Sequence, residues 1–152
     1  MFPRNKQYYD LVFLDIAKSF AKKSTCRQKS VGAVIVKNDR IISHGYNGVP
    51  SGVEHCNQTE SYGDLTHREW SEIHEIHAEQ NAISYAARAG IATDGATMYV
   101  TTSPCHTCAK LIVASGIKIL IVGSIYSGSQ PDWYQWLEQR GVTVISFDEE
   151  YV

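Results

Sequence analysis

Residues 96–123 read ATMYVTTSPCHTCAKLIVASGIKILIVG. ATMYVTT (96–102) is rich in β-branched and aromatic residues and predicts a strand. Ser103-Pro104 reads as a helix N-cap followed by proline at the first helical position, with the helix running to Gly116. IKILIVG (117–123) is a continuous apolar run, as expected of a strand covered on both faces. Strand, helix, strand in this order is a parallel crossover, so an α/β fold is expected.

The pattern extends in both directions. AEQNAISYAARA (78–89) predicts a helix that stops at Gly90. Ser129 and Asp132 resemble a capping box for a short helix ending at Gly141, and VTVISF (142–147) predicts a last strand. Upstream, VGAVIVK (31–37) and RIISHGY (40–46) flank Asn38-Asp39 and read as a hairpin. Before them, Leu11, Leu14, Ala17 and Ala21 recur at helical spacing within about residues 7–23. Residues 47–67 form a polar, Gly-rich loop, long enough that function or anchoring is expected of it. The whole predicts a single domain over 1–152, a three-layer α/β/α sandwich around a mixed five-stranded sheet.

Composition sets the partners. The chain has 152 residues, 43% of them hydrophobic, and a net charge of -2. That charge lacks the basic footprint of a protein that grips long nucleic acid. No apolar run approaches a membrane span and MFPRNKQYYD has no leader-like apolar core, so no membrane partner and a cytoplasmic location are expected. In a reducing compartment, four cysteines with six histidines favour metal binding or catalysis over disulfides.

Cys105 and Cys108, three apart at a helix start, share one face. The helix dipole there stabilises thiolate, which suits zinc and also a redox couple. Upstream lies His77-Ala78-Glu79, also at a helix start. His77 and Glu79 converge on one point only if His77 sits at the non-helical edge of that terminus. His77, Cys105 and Cys108 then leave a fourth zinc position open, as a catalytic site requires. Glu79 is placed to carry protons beside it.

His-x-Glu followed by Pro-Cys-x-x-Cys is the signature of the zinc-dependent nucleobase deaminases. Here it reads HAE (77–79) and PCHTC (104–108). With VGAVIV, GYNGVPSG, EIHAEQNAI, GATMYVT, SPCHTCAK and SGIK, the chain resembles the deoxycytidylate (dCMP) deaminases, particularly the T-even phage type, over roughly residues 10–147. The resemblance implies a cytidine-deaminase-like fold and hydrolysis of dCMP to dUMP and ammonia, supplying dUMP for thymidylate synthesis. It implies that His77, Cys105 and Cys108 hold a catalytic zinc. Glu79 then delivers a proton to cytosine N3 and afterwards to the leaving ammonia.

Cys26, Cys56, His67 and Glu75 match a second zinc site in the phage-type enzyme. Four N, S and O donors make a closed, structural site, here one that would pin the long loop. The loop between Cys56 and His67 is much shorter than in that enzyme, and His55 and His74 stand nearby as alternatives to His67.

The resemblance also assigns Asn47 and Tyr126 to substrate, with Thr102 and Ser103 lining the mouth. Arg27 and Lys29 flank the sheet entrance as candidates for the 5′-phosphate. The family is commonly a hexamer, activated by dCTP and inhibited by dTTP, with magnesium on the triphosphate. Gly48 and Pro50 fall in the segment resembling the effector loop, and Arg88 matches an interface arginine tied to that control. Trp70, Trp133 and Trp136 are expected to pack in the fold, and His44 and His106 have no expected role.

Overall fold

The computed structural model describes the backbone of residues 4–148 and side chains from residue 8 onward. In chain order the elements are α1 (Arg4–Ala21), β1 (Gly32–Lys37), β2 (Arg40–Tyr46), α2 (His67–His74), α3 (Ala78–Arg88), β3 (Thr97–Thr102), α4 (His106–Ala114), β4 (Ile119–Ser124), α5 (Gln135–Glu138) and β5 (Thr143–Ser146). The strands form one mixed sheet in the order β2-β1-β3-β4-β5. β1 pairs antiparallel with both β2 and β3, and β3, β4 and β5 run parallel. The expected α/β/α architecture with a mixed five-stranded sheet is therefore present.

Alternation along each strand divides the core into two layers. Val34, Val36, Tyr99 and Ile121 face α1, where they meet Leu14 and Ala17. Ala33, Ile35, Met98, Val100, Leu120 and Val122 face the other way, onto Ala78, Ala82, Ile112 and Leu137. The apolar run of β4 is explained by this double coverage. Two glycines let helices approach the sheet closely. A Cβ on Gly32 would overlap the Ala17 carbonyl of α1. One on Gly45 would overlap the Ala78 carbonyl and stand 2.6 Å from the Ala82 nitrogen. Ser43 reinforces the second contact, its hydroxyl donating to the Ala82 carbonyl at 2.6 Å.

The Asn38-Asp39 hairpin is a two-residue turn with both residues at positive φ, 50° and 59°. Three local readings need correction. α2 was not anticipated, although Thr66 and Glu69 form a complete capping box that starts it. α4 begins at His106 with Cys105 as its N-cap, not at Ser103-Pro104. The Ser103 hydroxyl instead accepts from the Tyr126 N–H at 2.8 Å and meets Ser129 Oγ at 3.1 Å. Ser129 is thus engaged elsewhere, and α5 shrinks to Gln135–Glu138 with Tyr134 as N-cap. Among the described residues, no helix is long and apolar enough to cross a membrane.

Candidate active site

β3 ends at Thr102 and α4 begins three residues beyond Ser103, so the Cys pair lies at the carboxyl end of a parallel strand. α3 brings its N-terminus to the same place. An isolated antiparallel bridge between Gly48 and Ile76 aligns the turn after β2 with the residue preceding His77. His77 is the N-cap of α3 with extended backbone, φ -69° and ψ 155°. It therefore sits at the non-helical edge that convergence with Glu79 demands. Gln80 Oε1 accepts from the His77 N–H at 2.8 Å and fixes that edge. The sequence reading overlooked Gln80, although its place three residues after the cap is a capping signal.

His77 Nδ1 stands 3.5 Å from Cys105 Sγ and 3.3 Å from Cys108 Sγ. Tetrahedral zinc, with bonds of about 2.0–2.1 Å to nitrogen and 2.3 Å to sulfur, spaces such donors roughly 3.5 Å apart. The donor set fits the ion. Cys105 is exposed at the rim and Cys108 is buried below it. Among the protein groups themselves, the Cys108 thiol donates to Cys105 and pulls the Cys105 thiol down to about 3, against the opposing effect of burial. The same contact, with burial, pushes Cys108 far above the thiol range. The hydrogen bond with Cys105 raises His77, while burial pulls it down.

Glu79 lies in the first turn of α3 and is 4% exposed. Burial raises its carboxyl above the ordinary carboxylate range, with His77 acting in the opposite direction. A carboxyl shifted toward neutrality beside an open three-donor site is suited to receive and pass protons.

A second group gathers Cys26, Cys56, His67 and Glu75, with donor atoms all within 4.8 Å of one another. Cys26 Sγ is 3.4 Å from His67 Nε2, which is 3.8 Å from Glu75 Oε1. Glu75 Oε1 is buried without a hydrogen-bond partner, a costly state that a cation would relieve. Cys56 Sγ accepts from the Arg27 N–H at 3.4 Å and meets Tyr62 Oη at 3.4 Å. Tyr62 was not singled out from sequence. Of the alternative donors, His55 Nδ1 is 2.9 Å from Thr25 Oγ1, and His74 packs against Trp70, so neither joins the group.

The remaining candidates separate. Asn47 is buried, its Oδ1 accepting from the Val31 N–H at 2.8 Å and its Nδ2 donating to the Lys29 carbonyl at 3.0 Å. Each end of the amide keeps one further bonding position. Tyr126 is exposed and carries Lys29 Nζ 3.7 Å above its ring. Arg27 turns away, its Nη2 donating to the Asn57 carbonyl at 3.1 Å. Gly48 is buried against Ile76, whereas Pro50 is exposed. Arg88 closes the far end of α3, about 16 Å of helix from His77. Trp70 is buried, and Trp133 and Trp136 pack against the core, as expected of them. His44 stacks on Phe20 with centroids 3.9 Å apart, while His106 is exposed.

Comparison with known proteins places this arrangement. A profile of the cytidine and deoxycytidylate deaminase zinc-binding region matches residues 8–124. The deoxycytidylate deaminase of Enterobacteria phage T4 is 40% identical over 167 residues, covering 88% of this chain and 86% of that protein. The counterpart from Enterobacteria phage T2 is 40% identical, covering 88% of this chain and 89% of its own length. The crystal structure of dCMP deaminase from the cyanophage S-TIM5 in complex with dCMP and dUMP superposes with a TM-score of 0.77 at 33% identity, covering 97% of this chain and 99% of that one. The chain belongs to the cytidine and deoxycytidylate deaminase family.

Proposed function

We propose that this protein hydrolyses dCMP to dUMP and ammonia. The observation that carries the reading is Glu79, buried beside His77, Cys105 and Cys108, a donor set with one zinc position left open. Relatives named for dCMP support the choice of substrate. His77, Cys105 and Cys108 would hold the zinc, whose chemistry is to make water acidic enough to attack near neutral pH. Glu79 takes the first proton of the water to cytosine N3, and later carries the proton left on the C4 hydroxyl to the departing amine. Oxygen from water replaces nitrogen at C4, so the balance is dCMP plus water to dUMP plus ammonia. Asn47, Thr102, Ser103 and Tyr126 line the mouth where sugar and phosphate lie.

Cys26, Cys56, His67 and Glu75 would hold a second, structural zinc. Regulation follows the family pattern: dCTP activates, dTTP inhibits and magnesium accompanies the triphosphate. Gly48, Pro50 and Arg88 serve that control in a hexamer. The enzyme supplies dUMP for thymidylate synthesis in the cytoplasm.

The test is an ultraviolet assay of dCMP, dCTP, deoxycytidine and cytosine offered separately, alongside metal analysis. Fastest turnover of dCMP is expected. Strong preference for deoxycytidine overturns the substrate, and deamination surviving complete zinc removal overturns the mechanism. Metal analysis giving a single zinc per chain overturns the second site. An unchanged dCMP saturation curve with dCTP present overturns the allostery.

A further inference from the structure

We infer that Tyr62 is a positioning residue for the second, closed metal site: its hydroxyl donates to the Cys56 sulfur while its ring holds the His67 imidazole, and this contact sets how slowly zinc leaves. The inference rests on the second zinc proposed above and adds to it a group outside the four donors.

The charge of the closed set asks for such a group. Metal ligation needs both thiols deprotonated. Two thiolates and the Glu75 carboxylate then exceed the charge of a zinc ion by one. Hydrogen bonds to the sulfurs spread that excess, and such outer partners orient the ligands and tune their hold on the metal. The two sulfurs are served differently. Cys26 takes hydrogen bonds from the backbone N–H groups of Gln28 and Lys29, in its own turn. Cys56, 1% exposed, takes the Arg27 N–H at 3.4 Å and has Tyr62 Oη at 3.4 Å. Apart from the donors themselves, Tyr62 is the one side chain among the described residues that hydrogen-bonds to either sulfur.

Tyr62 is mounted for this task. It lies in the chain between two of the donors, Cys56 and His67. Its carbonyl accepts from the Leu65 N–H at 3.2 Å, just ahead of the Thr66 cap of α2. Its ring centroid stands 5.4 Å from that of His67, edge-on at 71°, and 5.4 Å from that of Trp70. Trp70 is buried on α2 and packs against both rings. The neighbours fix the direction of the hydroxyl. A metal-bound thiolate only accepts, and the Arg27 guanidinium, which acts on the Tyr62 oxygen, only donates. The phenolic proton therefore goes to Cys56. One residue thus touches two of the four donors, Cys56 by its hydroxyl and His67 by its ring.

The experiment compares the zinc-loaded wild type with Tyr62→Phe, Tyr62→Leu and Tyr85→Phe. Tyr62→Phe keeps the ring and deletes the hydroxyl, and Tyr85, exposed on α3, is the control. Release of zinc to a chromophoric chelator is followed in time, and total zinc per chain is measured. Cobalt(II)-loaded protein gives a second readout, the sulfur-to-metal charge-transfer band. In Tyr62→Phe one zinc population should leave about tenfold faster, the scale of losing an outer partner, while the other keeps its rate. The charge-transfer band should move to longer wavelength, because a sulfur without its hydrogen bond gives up electron density more easily. Tyr62→Leu should release the same zinc faster still, and Tyr85→Phe should match wild type. Wild-type release and spectrum in Tyr62→Phe would overturn the inference; loss of zinc in Tyr62→Leu alone would then assign the effect to ring packing. Acceleration of both populations in Tyr62→Phe would mean general loosening and overturn it equally. A wild type holding one zinc per chain overturns the second-site reading, and this inference with it. A wild type holding two, with Tyr62→Phe unchanged, overturns only the inference.

Discussion

His77, Cys105 and Cys108 stand on two helix N-termini, whereas Cys26 and Cys56 come from two loops and His67 and Glu75 from the two ends of one short helix. The first group has three donors, a solvent-facing cysteine and a buried acid beside it. The second has four donors, and Glu75 Oε1, buried without a hydrogen-bond partner, stands 3.8 Å from His67 Nε2 within the group itself. An open set on rigid elements can do chemistry; a closed set drawn from loops can hold those loops in place. The two meet within two residues. Glu75 caps the end of α2, Ile76 bridges to Gly48, and His77 caps the start of α3.

The sharpest way to break this division of labour is Glu79→Gln. If the acid carries protons and holds no metal, kcat falls by about 10²–10⁴ while zinc content is unchanged. Zinc loss in that variant would place Glu79 among the ligands. Glu75→Gln should do the reverse. It removes the charge of one donor from the closed set, so metal analysis should find one zinc fewer per chain. The midpoint of unfolding should drop, on a scale of about 2.7 kcal/mol when free zinc stands a hundredfold above its dissociation constant. Residual deamination well above that of Glu79→Gln is expected; an equally inactive but fully metallated Glu75→Gln would show that the second cluster is not merely structural.

The same contrast governs what a sequence reveals. Cys105 and Cys108 are close in the chain and lie beside a recognisable helix start, and HAE is contiguous, so the open site is legible from spacing. The closed site spans Cys26 to Glu75, and only a likeness to a family nominated its members. Their meeting depends on α2, which the sequence reading passed over because the long polar loop before it hid the Thr66–Glu69 capping box. Strand positions were legible through alternation, since the two faces of the sheet are covered by different helices. Helix starts were less so. Ser103 has the composition of an N-cap, but its hydroxyl is claimed by Tyr126 from across the mouth, and the cap passes to Cys105. Ser129 is likewise drawn to Ser103, which leaves α5 without its expected start. Such tertiary competition for one hydroxyl leaves no trace in local spacing.

Thiol chemistry offers a gentler test. In chelator-treated protein, the hydrogen bond from Cys108 holds the Cys105 thiol well below the usual thiol range, so its alkylation rate should be nearly flat between pH 5 and 8. Burial raises the Cys26 thiol, so its rate should be slower and climb with pH throughout that interval. Peptide mapping after brief alkylation at several pH values separates the two. A Cys105 rate that rises about tenfold per pH unit would mean that Cys108 does not share its proton with it.

The smallest expected effect tests whether the closed site depends on its helix. The Thr66 hydroxyl accepts from the Glu69 N–H at 3.2 Å, and Glu69 Oε2 accepts from the Thr66 N–H at 2.8 Å. This box starts α2 one residue before His67. Thr66→Ala removes half of it, at a cost of about 0.5–2 kcal/mol. Fraying at that end loosens His67 first, while His77 keeps its own cap through Gln80. Zinc should therefore exchange faster from the closed site, with dCMP turnover close to wild type. Competition with a chromophoric chelator would resolve a fast and a slow zinc population, the fast one accelerated in the variant. If both populations accelerate together, the short link through Ile76 transmits strain from one cluster to the other, and the two sites act as a single unit.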